Sequence, residues 1–131
     1  MKYLLDTDTL IACILGSGDT RQQITAMIES GTEVALCAIT VAEIYSGLNE
    51  KKRATWENWL LALPYWHISR EAAQRTGVDR KTALDGGRTF SVTDSLITAV
   101  ARENNATVLT SNIKDYPMED VKVLSLRKHA A

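Results

Sequence analysis

Two carboxylates stand one residue apart near the start of the chain, at Asp6 and Asp8, directly behind the apolar run Tyr3-Leu4-Leu5. Glu43 follows the apolar run Val34 to Ile39, and Asp94 sits in Ser91-Val92-Thr93-Asp94, ahead of a helical apolar stripe. Asn112 and Asp115 follow the run Ala106 to Thr110. Each acid has an ordinary structural use: Asp6 as a helix N-cap, Glu43 as half of a Thr-x-x-Glu capping box, Asp94 as a first-turn acid favoured by the helix dipole. Capping does not account for their shared position. In a parallel sheet the carboxyl ends of strands and the starts of the following helices lie along one edge. That edge collects Asp6, Glu43 and the Asn112–Asp115 loop, and Asp94 as well if its helix starts there. Like charges so close raise one another's pKa unless a cation offsets them. Oxygen-only donors suit a hard ion such as Mg²⁺ or Mn²⁺. Zinc is disfavoured, with two histidines and no suitable cysteine spacing. An ion held this way orients and ionises a water and stabilises charge on a phosphoryl oxygen, so the implied chemistry is hydrolysis of a phosphate ester.

The elements that must carry these groups can be read in order. Tyr3 to Leu5 reads as a buried strand, and Leu10 to Leu15 as a short helix ended by Gly16-Ser17-Gly18. Asp19 or Thr20 is the expected cap of a second helix, with Ile24, Met27 and Ile28 on one face. Val34 to Ile39 reads as a strand. Thr40-Val41-Ala42-Glu43 has the form of a capping box opening a helix striped by Val41, Ile44, Tyr45 and Leu48, with Glu43 off the stripe. After the basic run Lys51-Lys52-Arg53, Trp56, Trp59, Leu60 and Leu63 mark another helix, its tryptophans read as core or subunit interface rather than a base-stacking platform. Pro64 ends it. Tyr65 to Ile68 reads as a short strand in which His67 is structural, and Ser69 caps a helix running to about Leu84. Asp85-Gly86-Gly87 reads as a loop, since these glycines follow a helix rather than joining strand to helix. Ser91 opens a helix burying Leu96, Ile97, Val100 and Ala101. Strands at Ala106–Thr110 and Val121–Leu124 follow, and the tail to Ala131 is expected to fray. Strands alternating with helices predict an α/β fold, a central mostly parallel sheet of four to five strands flanked by helices.

At 131 residues the chain is expected to form one domain, residues 1–131, with a core that needs no staples. Apolar content of 45% and charged content of 24% are those of an ordinary soluble protein. A net charge of −1 gives no support to a protein held to nucleic acid by bulk charge alone. Cys13 and Cys37 lie in apolar contexts and read as small buried hydrophobes in a reducing compartment. No apolar run is long enough to cross a bilayer and the N-terminus lacks a signal-peptide pattern, so no membrane is implied and the cytoplasm is the expected location.

The chain resembles the PIN-domain ribonucleases, and most closely the VapC-type toxins of type II toxin–antitoxin pairs. The resemblance runs nearly end to end, through Leu4-Leu5-Asp6-Thr7-Asp8, Thr40-Val41-Ala42-Glu43-Ile44-Tyr45-Ser46-Gly47, Thr93-Asp94-Ser95-Leu96-Ile97-Thr98-Ala99 and Thr110-Ser111-Asn112-Ile113-Lys114-Asp115-Tyr116. It implies a PIN-like three-layer sandwich, Mg²⁺- or Mn²⁺-dependent cleavage of RNA, a homodimer, and a cognate VapB-type antitoxin whose C-terminal segment covers the acidic site. By that resemblance Asp6, Glu43 and Asp94 take the positions of the family's three acids. Asp6 and Asp94 would ligate the metal directly, Glu43 would hold water or act as general base, and Asn112 or Asp115 would complete the outer shell. Asn112 stands where relatives often carry Asp, and Asp8 where many carry Asn. These departures leave open which residue is fourth and whether one ion or two bind. Asp8 reads as a supporting residue that fixes the turn.

Two other readings compete. Asp6-Thr7-Asp8-Thr9 matches the D-x-D-x-T start of haloacid-dehalogenase-type phosphatases, with Asp6 as nucleophile; yet Asp79 and Asp85 are isolated, and the adjacent pair Glu119-Asp120 comes too near the end. A non-catalytic binding module would keep the fold while its acids merely capped helices.

Overall fold

The computed structural model describes residues 1–16 and 18–126. Ser17 of the expected glycine break and most of the expected frayed tail, 127–131, lie outside the described residues. The chain runs β1 (Lys2–Leu5), α1 (Thr7–Leu15), α2 (Asp19–Glu29), β2 (Glu33–Cys37), α3 (Ala38–Gly47), α4 (Glu50–Ala62), β3 (Tyr65–Trp66), α5 (Arg70–Asp85), α6 (Val92–Glu103), β4 (Thr107–Thr110), a 3₁₀ turn (Ile113–Asp115) and β5 (Val123–Ser125). The five strands form one sheet in the order β3-β2-β1-β4-β5, and every pairing is parallel.

Strand periodicity divides the interior into two layers. Leu5, Val34, Leu36 and Leu109 face one side, where they meet Leu10, Cys13, Ile14, Ile24, Ile44, Leu48 and Leu60 from α1 to α4. Leu4, Ala35, Cys37 and Val108 face the other, against Ile97, Val100 and Ala101 of α6 and Tyr116 and Val121. Leu4 and Leu5 are fully buried on opposite faces, each stabilising the fold by about 1.5–3 kcal/mol. The result is the expected three-layer α/β architecture, helices covering both faces of a parallel sheet. Cys13 and Cys37 are free and buried, and burial pushes the Cys13 thiol up to about 12. Among the described residues no helix is long and apolar enough to cross a membrane.

Several boundaries differ from the sequence pattern. The second strand stops at Cys37, and α3 begins at Ala38 with Cys37 as its N-cap and no side-chain cap bond. Thr40-Val41-Ala42-Glu43 is therefore not a capping box: Thr40 is fully buried inside the first turn, and the Glu43 carboxylate is taken by hydroxyls from other elements. Helix α2 is capped by neither Asp19 nor Thr20. Gly18 holds the cap position at φ +104°, a left-handed backbone that glycine adopts at little cost. Gly16, at the end of α1, is equally constrained, since a Cβ there would lie 2.4 Å from the Ala12 carbonyl oxygen. The basic run Lys51–Arg53 lies within the first turns of α4, β3 covers only Tyr65–Trp66, and β5 is displaced to Val123–Ser125. Trp56 and Trp59 pack edge to face at 6.1 Å and rest against the core, with the Arg21 guanidinium 5.2 Å above the Trp56 ring. Helix α6 buries more than its apolar stripe, taking in Ser95, Thr98 and Ala99 as well. It is packed by both α5 and the sheet, and its buried hydroxyls donate back to helix carbonyls.

Candidate functional site

Strand order reverses at β1. The chain builds β2 and β3 on one side of it and then returns to add β4 and β5 on the other. In open parallel sheets such a reversal opens a crevice beyond the strand carboxyl ends. The edge of this crevice is tied by one acceptor: the Leu109 carbonyl, at the end of β4, receives the Asp6 N–H at 3.1 Å and the Thr9 hydroxyl at 3.2 Å.

Asp6 sits at the floor, 4% exposed. It is the N-cap of α1, its Oδ1 accepting the Thr9 N–H at 2.9 Å, so the capping role is real. Its other oxygen does something else. The Tyr116 hydroxyl, 110 residues away in sequence, lies 3.2 Å from Asp6 Oδ2 and also 3.2 Å from Asp94 Oδ1. A phenol has one proton to donate, so it serves the two carboxylates alternately. Burial, followed by the Asp6 and Asp94 charges, pushes the Tyr116 hydroxyl far above its ordinary value, which keeps it a neutral donor. Asp94 reaches this point from the first turn of α6, where Ser91 is the N-cap and accepts the Asp94 N–H at 3.0 Å.

Glu43 is held by two hydroxyls, Thr7 Oγ1 donating to Oε1 at 2.5 Å and Thr93 Oγ1 to Oε2 at 3.3 Å. Those threonines neighbour Asp6 and Asp94 in sequence, so Glu43 is fixed between the segments that carry the other two acids. Asn112 and Asp115 bond each other, Nδ2 to Oδ2 at 2.8 Å, in the turn after β4. Asp8 lies in the first turn of α1 with an exposed carboxylate; the turn is fixed by Asp6, not by Asp8. Asp6 and Asp94 thus meet on one hydroxyl, Glu43 is held by the neighbours of both, and Asn112 is bonded to Asp115. Tyr116, by contrast, is a site residue that sequence reasoning missed. It stands directly after Asp115 in a stretch that reads as a polar loop, yet it is 8% exposed and its oxygen meets both carboxylates.

The acids act on one another. Burial raises the Asp8 pKa first, and Asp6, Asp115 and Glu43 raise it further. Asp94 is raised mainly by burial, with contributions from Asp115 and Asp6, while hydrogen bonds from Ser91 and Tyr116 oppose the rise. Linkage gives this a sign. Below the ordinary value of 3.8 Asp94 is protonated in folded and unfolded chains alike. As pH climbs from there to the raised value, the folded chain keeps a proton the unfolded chain has lost, and stability falls; above the window the cost is fully present. Asp94→Asn should therefore be more stable than the parent at neutral pH in chelator, with the margin shrinking as pH drops towards 3.8. Urea titrations of both proteins across that range check it; a margin independent of pH would refute it.

Among the described residues, no three acids, histidines or cysteines converge as a ready ligand cage. Asp6 and Asp94 are spanned by one hydroxyl. Such a donor set fits Mg²⁺, which binds through one or two carboxylates and keeps several waters, better than Ca²⁺, which takes six to eight oxygens. A cation there would relieve the ionisation cost that burial and neighbouring charge place on Asp94.

Comparisons with known proteins bear on the family and the fold. The PIN domain family matches residues 3–122. A protein named Ribonuclease VapC19, from Mycobacterium tuberculosis, is 24% identical over 115 residues, 88% of this chain and 92% of its own length. Among solved structures, VapBC2 from Rickettsia felis bound to a promoter DNA fragment superposes with a TM-score of 0.86 at 22% identity, covering 97% of this chain and all of that one. FitAcB from Neisseria gonorrhoeae gives a TM-score of 0.77 at 26% identity, covering 92% of this chain and 95% of that one.

Proposed function

This chain belongs to the PIN domain family, and on that premise we propose that it is a divalent-metal-dependent endoribonuclease acting as the toxin of a VapBC-type pair. The observation that carries the proposal is the meeting of Asp6 and Asp94 on one buried hydroxyl at the point where strand order reverses.

Asp6 and Asp94 are the residues that would hold Mg²⁺ or Mn²⁺. When bound, the ion supplies charge stabilisation at a phosphoryl oxygen and lowers the pKa of water. The Asp6 carboxylate is held by its cap bond and that of Asp94 by the Tyr116 hydroxyl, so neither carboxylate must be ordered on binding. Glu43, oriented by Thr7 and Thr93, would take a proton from attacking water or hold that water in place. Asn112 and Asp115, bonded to each other, would position the outer shell from the β4 side. Tyr116 keeps the two ligands at a fixed separation.

The haloacid-dehalogenase reading fits poorly, because both Asp6 oxygens are committed, one to Thr9 and one to Tyr116. The structural neighbours named as VapBC complexes support a cognate VapB-type antitoxin; we extend the proposal to its covering the acidic crevice, and to a homodimer of single-domain chains, residues 1–131, in the cytoplasm. The test is direct. Purified protein should cleave single-stranded RNA with Mg²⁺ or Mn²⁺ and lose that activity in excess chelator, and a cognate antitoxin, once identified, should suppress it. Undiminished cleavage in chelator, or none with either metal, would overturn the assignment.

A further inference from the structure

The arginines of this chain fall into different electrostatic situations. Arg75 and Arg102 are paired with Asp79 and Asp120. Arg80 and Arg88 have no carboxylate partner among the described residues, and they line the same cavity, about 280 Å³ in volume, together with Lys81, Thr89 and Phe90. It lies between α5 and the loop that leads into α6, and all three of its ionisable residues are cationic.

Both guanidiniums are tethered. Arg80 Nε donates to the Phe90 carbonyl at 2.9 Å, and Arg88 Nη2 donates to the Lys114 carbonyl at 2.7 Å. Each spends one nitrogen on the backbone and leaves the rest of its fork without a protein acceptor among the described residues. A fixed guanidinium with open N–H groups is pre-organised for the oxygens of a phosphate. Lys81 is held by Asp85 at 2.7 Å, but both are well exposed, so that pair is weak and easily exchanged.

The tethers also locate the cavity. Phe90 immediately precedes Ser91, the cap of the helix that presents Asp94. Lys114 immediately precedes Asp115, and Arg88 thereby ties the loop before α6 to the turn after β4. The cationic cavity and the acidic crevice are built on the same two segments. A polyanionic strand approaching a crevice with five carboxylates needs compensating positive charge beside it, and the net charge of −1 means that charge must be local.

We propose that Arg80, Arg88 and Lys81 form a subsite for a backbone phosphate of single-stranded RNA, flanking the phosphodiester that is cut. This rests on the nuclease reading above. The test compares parent, the double variant Arg80→Gln/Arg88→Gln, Lys81→Gln and, as a charge control on α4, Arg53→Gln. On a labelled twelve-nucleotide RNA with Mg²⁺, the double variant should raise KM about tenfold with kcat little changed. Lys81→Gln, which disturbs no backbone tether, should shift KM the same way by about two- to threefold. Arg53→Gln should do nothing, and none should affect a trinucleotide too short to reach the cavity. Anisotropy titration of the same RNA in chelator reads binding without cleavage, and the double variant should flatten its log K against log salt slope by about 0.7 per lost contact. Unchanged KM in both cationic variants, an equal effect of Arg53→Gln, or loss on the trinucleotide overturns the subsite. A parent that binds RNA in chelator with the expected variant pattern but never cleaves it would sink the nuclease reading and leave the subsite standing.

Discussion

Asp6→Asn is expected to reduce metal-dependent RNA cleavage by about 100-fold or more while leaving the fold intact. The substitution separates the two roles of Asp6. Asn caps helices as well as Asp does, and its amide oxygen can still accept the Thr9 N–H that Asp6 Oδ1 now takes at 2.9 Å. It cannot supply the negative charge that a hard cation requires. Asp94→Asn should behave alike, since the amide keeps an acceptor for the Tyr116 hydroxyl. Calorimetric titration with Mg²⁺ should show weakened binding in both variants, and circular dichroism in chelator should show unchanged helix content. Variants that cleave like the parent would reduce these acids to capping and coupling groups and favour a binding module.

The second large effect lies at the other end of α6. Asp79 of α5 is 2% exposed and accepts from Arg75 at 2.9 Å and Arg102 at 3.0 Å; Arg102 in turn grips Asp120 at 2.7 Å. This network fastens α5 to α6 and to the segment that enters β5. Asp79→Ala removes the buried member and leaves Arg102 with only its exposed partner, at an expected cost of about 3 kcal/mol. For a chain of this size that corresponds to a melting temperature lower by about 10 °C. Asp120→Ala, at the half-exposed end, should cost under about 1 kcal/mol. Thermal melts of the two variants side by side provide the check; equal losses would mean that burial is not what makes the network matter.

How far the sequence carried these conclusions depended on which forces were local. The central strands were legible because parallel strands buried on both faces read as short unbroken apolar runs, as in Tyr3-Leu4-Leu5 and Val34 to Cys37. The start of α6 was legible because Ser91 caps through a bond three residues away. The start of α3 was not: the Thr40–Glu43 spacing mimics a capping box, but the Glu43 carboxylate is decided by Thr7 and Thr93, which are distant in sequence. The left-handed cap at Gly18 hid behind better cap formers at Asp19 and Thr20. Asp79 was weighed only as an acid without an acidic neighbour, and its bond to Arg102, 23 residues away, leaves no local trace. The meeting of Asp6 and Asp94 is in line with strand-end logic, whereas Tyr116 was hidden, since nothing local distinguishes a tyrosine buried for its ring from one whose oxygen also meets carboxylates.

The order of the strands has a consequence for how the chain is born. β1 is synthesised first, yet one of its two neighbours is β4, with Leu4 opposite Val108 and Leu5 opposite Leu109. Asp6 therefore leaves the ribosome early and waits for Asp94 and Tyr116, contacts that close only after long loops have been spanned. A growing chain cannot join Asp6 to Asp94 until Tyr116 has been made.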